Sequence, residues 1–407
     1  MPVRLGAAAT VALALVLVPA ALAGSRSTLQ ERLAHALRAV HVSPQETGAI
    51  VLDLHTGATV FAQNAHLPLR PASNEKLATT YAALTALGPS FRVETDVLGD
   101  GRQSGATWRG NLVLKGYGDP TLSSSDLVSL AHQVAAAGIR RVSGRVIGDE
   151  SWFDARRTGL GWKAQFFLHE SPALSALVVD RGWTGHYETA RPALYAAQLF
   201  RLDLRRAGVA VHGGAATGVS AAGPVPIAYV ESPSLSALVR HMDVFSDNFY
   251  AEMLMKEVGA VQGGGGSAAA GLAVTRRLLT QAGVPLAGVR MVDGSGLSLV
   301  DRWTPGGLAA LLRTMWLDPD LRPYVVPALP IAGKTGTLDY RMRHGPARGF
   351  VRAKTGTTDN SSALSGFAGD RYVFSVVENG RPVRTRSAER SQDRFAQVLA
   401  RAAATAS

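Results

Sequence analysis

Ser73-Asn74-Glu75-Lys76 sets a hydroxyl and an amine three positions apart. On a helix that spacing stacks the two side chains on one face. A serine hydroxyl attacks poorly until a base takes its proton. A lysine stripped of water by burial can be neutral near pH 7 and serve as that base. Arginine cannot, because guanidinium keeps its proton. That difference matters in this chain: of its 42 basic residues only Lys76, Lys115, Lys163, Lys256, Lys334 and Lys354 are lysines, so arginine is its ordinary positive charge. Ser73 follows Pro71-Ala72 at an expected helix start, where free N–H groups favour a developing oxyanion. In isolation the tetrapeptide reads more readily as a chance Ser/Lys pair on an exposed helix.

Two further motifs follow in order. Ser246-Asp247-Asn248 is flanked by Phe245 and Phe249, a polar triplet at a helix mouth or buried turn. Ser246 can relay a proton, and Asn248 can orient Lys76 or bond a substrate amide. The plainer reading is a helix N-cap, with Asp247 as the capping residue. Lys-Thr-Gly occurs twice, at Lys334-Thr335-Gly336 and Lys354-Thr355-Gly356. The second copy follows the strand-like Phe350 to Ala353. A strand bordering a cleft can hold an extended substrate by backbone pairing, with Gly356 leaving room for the approach. The first copy follows Pro327, Pro330 and Gly333 and reads as a loop. Lys354 is therefore preferred over Lys334.

Other residues carry less. Asp293-Gly294-Ser295-Gly296 lacks the spacing of a nucleophile elbow and reads as a turn. Glu252 reads as a charge on a helix face. No His-x-x-x-His pair and no cysteine is present, which argues against a zinc site, a thiol nucleophile and a disulfide scaffold. No metal or cofactor is expected.

These groups need elements to bring them together. A helix is expected over 28–40 with Ser27 as its cap, then strands over 48–54 and 58–61, then the helix opened by Pro71 and stopped by Gly88-Pro89. From residue 98 to 224 the pattern changes. Gly99-Asp100-Gly101 reads as a turn, followed by short strands at 111–114 and 142–147 and a helix at 125–137. The stretch is too long for a simple connection and reads as an inserted domain. One long helix is expected over 234–258, others over 268–282 and 304–315, strands over 349–354, 363–368 and 371–377, and a final helix over 387–403. Gly263 to Gly266 reads as a surface loop.

With 46% hydrophobic and 18% charged residues, the composition is globular rather than disordered. Arg4 precedes an uncharged run from Leu5 to Ala23 that ends in Ala21-Leu22-Ala23. This reads as a signal peptide cleaved after Ala23, with an uncleaved anchor as the rival. The expected address is the periplasm or cell-wall space, with at most peripheral membrane or wall contact. The formal charge of +11 is spread over scattered arginines. It fits a solvated surface better than attraction to an anionic wall polymer or membrane surface, and no nucleic-acid partner is expected.

Ser-x-x-Lys, Ser-Asp-Asn and Lys-Thr-Gly in this order form the motif set of penicillin-binding proteins and serine β-lactamases. With Gly116 to Leu122, Ser246 to Leu254, Asp293 to Leu297 and Lys354 to Gly366, the chain resembles the D-alanyl-D-alanine carboxypeptidases of the class C, type-4 penicillin-binding protein family. The resemblance implies an α+β, β-lactamase/transpeptidase-like domain, with an antiparallel sheet flanked by helices and a helical lobe. That domain would comprise 24–97 and 225–407, split by an accessory domain at 98–224. It implies acyl transfer on peptidoglycan stem peptides, with β-lactams as trapped mimics. Ser73 would be the nucleophile and Lys76 its base. Ser246, Asn248 and Lys354 would be catalytic, and Thr355, Gly356 and Thr357 would bind substrate. The N–H groups of Ser73 and Thr357 would form the oxyanion hole. Cross-link cleavage alongside carboxypeptidase activity, a β-lactamase or esterase, and a non-catalytic peptidoglycan-binding protein remain alternatives. The resemblance gives Lys334 no role.

Overall fold

The computed structural model describes residues 27–38 and 42–405. The expected signal peptide and its cleavage site fall outside the described residues.

The chain opens with α1 (Leu29–Ala36), capped by Thr28 rather than Ser27, because Thr28 accepts the Glu31 N–H while Glu31 reaches back to the Thr28 N–H. It ends sooner than expected; residues 39 and 40 lie outside the described set. β1 (Thr47–Asp53) and β2 (Thr59–Gln63) form a hairpin. A 3₁₀ turn, Ala72–Glu75, leads into α2 (Lys76–Leu87). Next come β3 (Glu94–Ser104), β4 (Thr107–Gly116), α3 (Ser124–Ala136), β5 (Arg141–Val142), β6 (Val146–Asp149), α4 (Pro192–Arg206), β7 (Ala210–Val211), β8 (Ala215–Thr217) and β9 (Val225–Glu231). The chain continues with α5 (Leu235–Phe245), α6 (Asn248–Gln262), α7 (Ala268–Gln281), α8 (Pro305–Leu317) and α9 (Arg322–Ala328). It closes with β10 (Val351–Thr358), β11 (Ser361–Ala368), β12 (Tyr372–Asn379) and α10 (Thr385–Ala404).

The five-stranded sheet has the order β10-β11-β12-β1-β2 and is antiparallel throughout. The chain's beginning and end meet at its centre, where Val51 pairs with Phe374. Every residue of β11 is buried, because helices cover both faces. Ala363, Phe367, Val373 and Val377 share a core with α2, α5, α6 and α8. Leu364, Phe374 and Val376 pack instead with Leu33 of α1 and Phe395 and Leu399 of α10.

The second sheet has the path β7-β5-β4-β3-β9, with β6 pairing to β4 and β8. Its core joins Val97, Leu112 and Leu114 to Leu130 of α3 and Phe200 of α4. Its strands reach from Glu94 to Glu231, beyond 98–224 at both ends. Gly99-Asp100-Gly101 is not a turn but part of β3. Gly101 pairs with Gly110, where a Cβ would lie 2.1 Å from the Arg109 carbonyl, and Gly99 lies under the Trp108 ring. The glycines serve close backbone approach, which sequence alone cannot tell from a turn.

One correction bears on the site. The expected helix over 234–258 is two helices. Ser246 is left-handed (φ 59°, ψ 38°) and ends α5; Asp247 then caps α6 by accepting the Tyr250 N–H.

Candidate active site

Three elements converge at the junction of the helices and the sheet edge. The 3₁₀ turn and α2 bring Ser73 and Lys76, the α5–α6 break brings Ser246 and Asn248, and β10 brings Lys354. Ser73 lies in that 3₁₀ turn, one turn before the α-helix proper. It follows Ala72, whose φ of +47° is rare outside glycine.

Lys76 is fully buried, and its Nζ has three neighbours: Asn248 Oδ1 at 2.7 Å, the Ser295 carbonyl at 2.7 Å and Ser73 Oγ at 3.0 Å. The first two can only accept. The Ser73 hydroxyl can accept or donate. If the ammonium loses one proton, two N–H bonds stay fixed on the two carbonyls and the lone pair is left facing the Ser73 hydroxyl. Burial lowers the Lys76 pKa to about 8, against the pull of Asp293, Asp247, Glu252 and Asp243. Ser73, by contrast, is partly exposed, so its hydroxyl is reachable while the Lys76 amine is not.

Lys354 is also fully buried. Its Nζ donates to Ser246 Oγ at 2.8 Å and to the Thr355 carbonyl at 3.1 Å. Burial, aided by the Lys76 charge, lowers its pKa to about 7. Asn248 donates its Nδ2 to the Glu170 carbonyl at 3.1 Å, which fixes Oδ1 toward Lys76. Thr355 Oγ1 lies 2.7 Å from Thr337 Oγ1.

β10 is an edge strand. Over its first residues the edge is covered: Ala332 N–H donates to the Val351 carbonyl, and Ala353 N–H donates to the Pro330 carbonyl. Peptide groups of alternate residues face the same side of a strand. Those of Thr355 and Thr357 therefore face the same edge, past the end of that cover. Gly356 does not open onto substrate space as expected. A Cβ there would meet the Pro71 carbonyl at 2.7 Å and Ala72 Cβ at 3.1 Å, so the missing side chain lets β10 press against the turn that carries Ser73.

All eight sequence-derived residues lie in or beside this junction. Lys334 does not reach it: it is exposed and lines a separate basic pocket with Arg343 and Arg348. Its loop does contribute through Thr337. Sequence reasoning missed the Ser295 carbonyl, since a backbone acceptor leaves no signal in side-chain types. It also misjudged Glu252, which is fully buried and accepts the Gly294 and Ser295 N–H groups. The segment before α4 braces the groups around the site, with Arg181 ion-paired to Asp247 at 2.8 Å and Trp162 Nε1 donating to Asp293 at 2.7 Å.

The sequence matches the D-Ala-D-Ala carboxypeptidase 3 (S13) family over residues 29–191 and 184–402. The chain belongs to this family. It is a serine-type D-Ala-D-Ala carboxypeptidase, a hydrolase. It is 30% identical to a D-alanyl-D-alanine carboxypeptidase of an Actinomadura species, covering 82% of this chain and 78% of the relative. It is 32% identical to the carboxypeptidase DacB of Mycolicibacterium smegmatis, covering 85% and 80%. Its fold is similar to that of penicillin binding protein 4 from Haemophilus influenzae, with a TM-score of 0.80 at 22% identity over 91% of this chain and 98% of the other. The β-lactamase/transpeptidase-like α+β fold that the resemblance implied is thus the observed one. For an S13 carboxypeptidase, a partly exposed serine beside a buried, weakly basic lysine is the combination that acyl transfer demands.

Proposed function

We propose that this S13 carboxypeptidase removes the terminal D-alanine from peptidoglycan stem peptides through an acyl-enzyme on Ser73, and that β-lactams acylate the same hydroxyl. The observation that carries the reading is the Lys76 amine, held by two carbonyl acceptors so that its remaining position meets Ser73 Oγ at 3.0 Å. Neutral Lys76 takes the Ser73 proton as Oγ attacks the carbonyl between the two D-alanines. The N–H groups of Ser73 and Thr357 receive the oxyanion. Lys354 passes a proton through Ser246 to the leaving amine, breaking the C–N bond. Lys354 and Thr355 hold the carboxylate of the departing residue. Water then attacks the ester and re-forms the serine hydroxyl; the new carboxylic acid gives up its proton, which restores that of Lys354, Lys76 releases the proton it took, and the shortened peptide leaves as a carboxylate.

A fast β-lactamase is the weaker reading, because it needs a base that activates the deacylating water. Glu252 and Glu75 are fully buried and engaged with the Ser295 turn and Trp303 Nε1, beneath Lys76 rather than in the cleft. A non-catalytic wall-binding protein would not need the Lys76 arrangement. The second sheet, with strands from Glu94 to Glu231, supports an accessory domain inserted into the catalytic one, and the N-terminal apolar run supports export to the periplasm or wall space. Among the described residues no helix is long and apolar enough to cross a membrane.

Digestion of purified peptidoglycan with mass analysis of the products tests the reading. Loss of one terminal alanine is the expected product. Cleaved cross-linked dimers would add endopeptidase activity. Unchanged muropeptides together with rapid turnover of a β-lactam would replace the peptidase reading with the β-lactamase one.

A further inference from the structure

We propose that two buried carboxyl residues, Asp293 and Glu252, are positioning residues for acylation: they lock the Ser295 carbonyl onto the Lys76 amine and so aim the remaining face of that amine at Ser73. The proposal rests on Lys76 being the base in the reading above.

The argument begins with one peptide plane. The Ser295 carbonyl and the Gly296 N–H belong to the same rigid trans unit and point in opposite directions. Gly296 N–H donates to Asp293 Oδ1 at 2.7 Å, and the Ser295 carbonyl accepts from Lys76 Nζ at 2.7 Å. Asp293 therefore sets the direction of that carbonyl. The plane before it is pinned in the same way. Ser295 N–H donates to Glu252 Oε1 at 2.9 Å, while the Gly294 carbonyl accepts from Thr79 Oγ1 at 2.6 Å. Gly294 N–H donates to the same Glu252 oxygen at 3.0 Å. Three successive peptide groups are thus held by two carboxyl groups and one hydroxyl.

The turn cannot drift. A Cβ on Gly296, whose φ is +83°, would lie 1.9 Å from the Ala72 carbonyl, so the turn rests directly on the residue before the nucleophile. Asp293 is held in turn, its Oδ2 accepting Trp162 Nε1 and Ser298 N–H, both at 2.7 Å. Asp293, Glu252 and Ser295 are fully buried. Neither carboxyl group touches space that a substrate could enter, so they act through the carbonyl and not on the reacting atoms.

Burial raises the Glu252 pKa to about 8, with Asp293 adding to the effect, and burying such groups is costly. A role confined to filling the core would be met by apolar side chains. The charged groups facing Lys76 are Glu75 on its own turn, Asp243 on α5, Asp247 and Glu252 around α6, Asp293 on the turn and Lys354 on β10. Among them, Asp293 and Glu252 alone hold backbone groups of the turn that supplies the carbonyl.

The test measures the rate constant for acylation by a chromogenic β-lactam across pH 6–10, separately from the affinity of the preceding complex, with thermal melting to establish folding. Glu252→Met keeps length and removes both acceptor oxygens. It should lower the plateau, meaning the highest rate reached before Lys354 loses its own proton, by about 30-fold or more, within the range for a misplaced general base. It should also shift the midpoint to lower pH, because the ammonium loses an acceptor and a nearby acid. Glu252→Gln retains an acceptor oxygen and should keep the plateau within about threefold of wild type. Trp162→Phe removes one donor to Asp293 and should lower the plateau by about 3-fold to 10-fold without weakening the initial complex. A folded Glu252→Met protein with a wild-type plateau overturns the proposal, as does Glu252→Gln falling as far as Glu252→Met. If Glu252→Met does not fold, Trp162→Phe decides: a wild-type plateau and midpoint overturn it. Lys76→Met measured alongside separates the two readings, since normal acylation by that variant would remove Lys76 as the base whatever Glu252 does.

Discussion

Lys354 Nζ donates to Ser246 Oγ at 2.8 Å, joining the sheet edge to the break between two helices. The break is what makes the contact. Ser246 occupies a left-handed conformation that turns its hydroxyl out of the line of α5 toward β10. The two Lys-Thr-Gly copies are thereby separated by location: Lys354 is fully buried against Ser246, and Lys334 is exposed. Lys354→Ala should lower the acylation rate by about 10²-fold or more, as loss of a charge that stabilises the transition state does. Lys334→Ala should stay within about twofold, as a solvated charge outside the cleft should. Stopped-flow acylation of both variants checks the ranking, and the reverse order would place the substrate at the other loop.

Ser73 is the partly exposed hydroxyl beside the buried amine, so a fluorescent penicillin should label it. Ser73→Ala should show no adduct, and peptide mapping of the labelled protein should return the segment containing Ser73. An adduct on Ser295 would contradict the arrangement, since Ser295 is fully buried.

Lys76→Arg tests the base directly, because guanidinium stays protonated. The acylation rate should fall by about 10²-fold or more. Lys76 is completely enclosed, so the larger guanidinium must displace its neighbours, and the melting temperature should fall as well. Lys76→Met fits the space better and should lose the rate with less loss of stability. A folded variant of either kind acylating at the wild-type rate would leave Lys76 without its role as base.

The pH dependence has a definite sign. The base must be neutral, and burial places the Lys76 pKa at about 8. The acylation rate should rise with pH below that value as the base is freed, and fall again at higher pH as Lys354, the proton donor, loses its own proton. A lysine free in water would put the break near 10.5. A rate profile flat from pH 6 to 9 would show that this amine's proton does not gate the step.

Gly356→Ala should injure the site without touching a catalytic group. The added methyl would meet the Pro71 carbonyl at 2.7 Å and Asn74 Nδ2 at 3.0 Å, pushing β10 away from the Ser73 turn. We expect an acylation rate lower by about tenfold or more, since displacements of about 1 Å cost that much or more. Wild-type kinetics in this variant would show that the two elements move independently.

Trp303 links stability to pH. Its buried Nε1 donates to Glu75 Oε2 at 2.8 Å. Burial raises the Glu75 pKa well above 4.5, and the indole bond opposes that rise. A raised carboxyl pKa means the folded state binds more protons than the unfolded state above about pH 4.5, so its stability contribution falls as pH rises. Trp303→Phe removes the bond that favours the ionised form. It should cost about 1–3 kcal/mol for the unsatisfied buried acceptor, and more at pH 8 than at pH 5. Melting curves at both values check this; an equal loss would mean that Glu75 stays protonated throughout.

Side-chain chemistry and local order were legible in the sequence. Ser73, Lys76, Ser246, Asn248 and Lys354 stood out because few residue types can perform these tasks, and lysine is scarce enough here for each copy to carry information. The C-terminal strands and the final helix were legible for a similar local reason: each shows its own periodicity between turn residues. The tertiary structure alone decided what depends on contacts between distant segments. Ser246 breaks the helix expected over 234–258, and a left-handed serine leaves no mark in apolar spacing. Gly99 and Gly101 lie inside a strand because Trp108 and the β4 backbone crowd them. Gly356 meets the Ser73 turn rather than a substrate. Glu252, which on its helix reads as a surface charge, is buried because the Asp293–Ser298 turn folds over it. The third neighbour of the Lys76 amine is a backbone carbonyl more than two hundred positions away. Every residue carries such a group, so only the fold could select the one at Ser295.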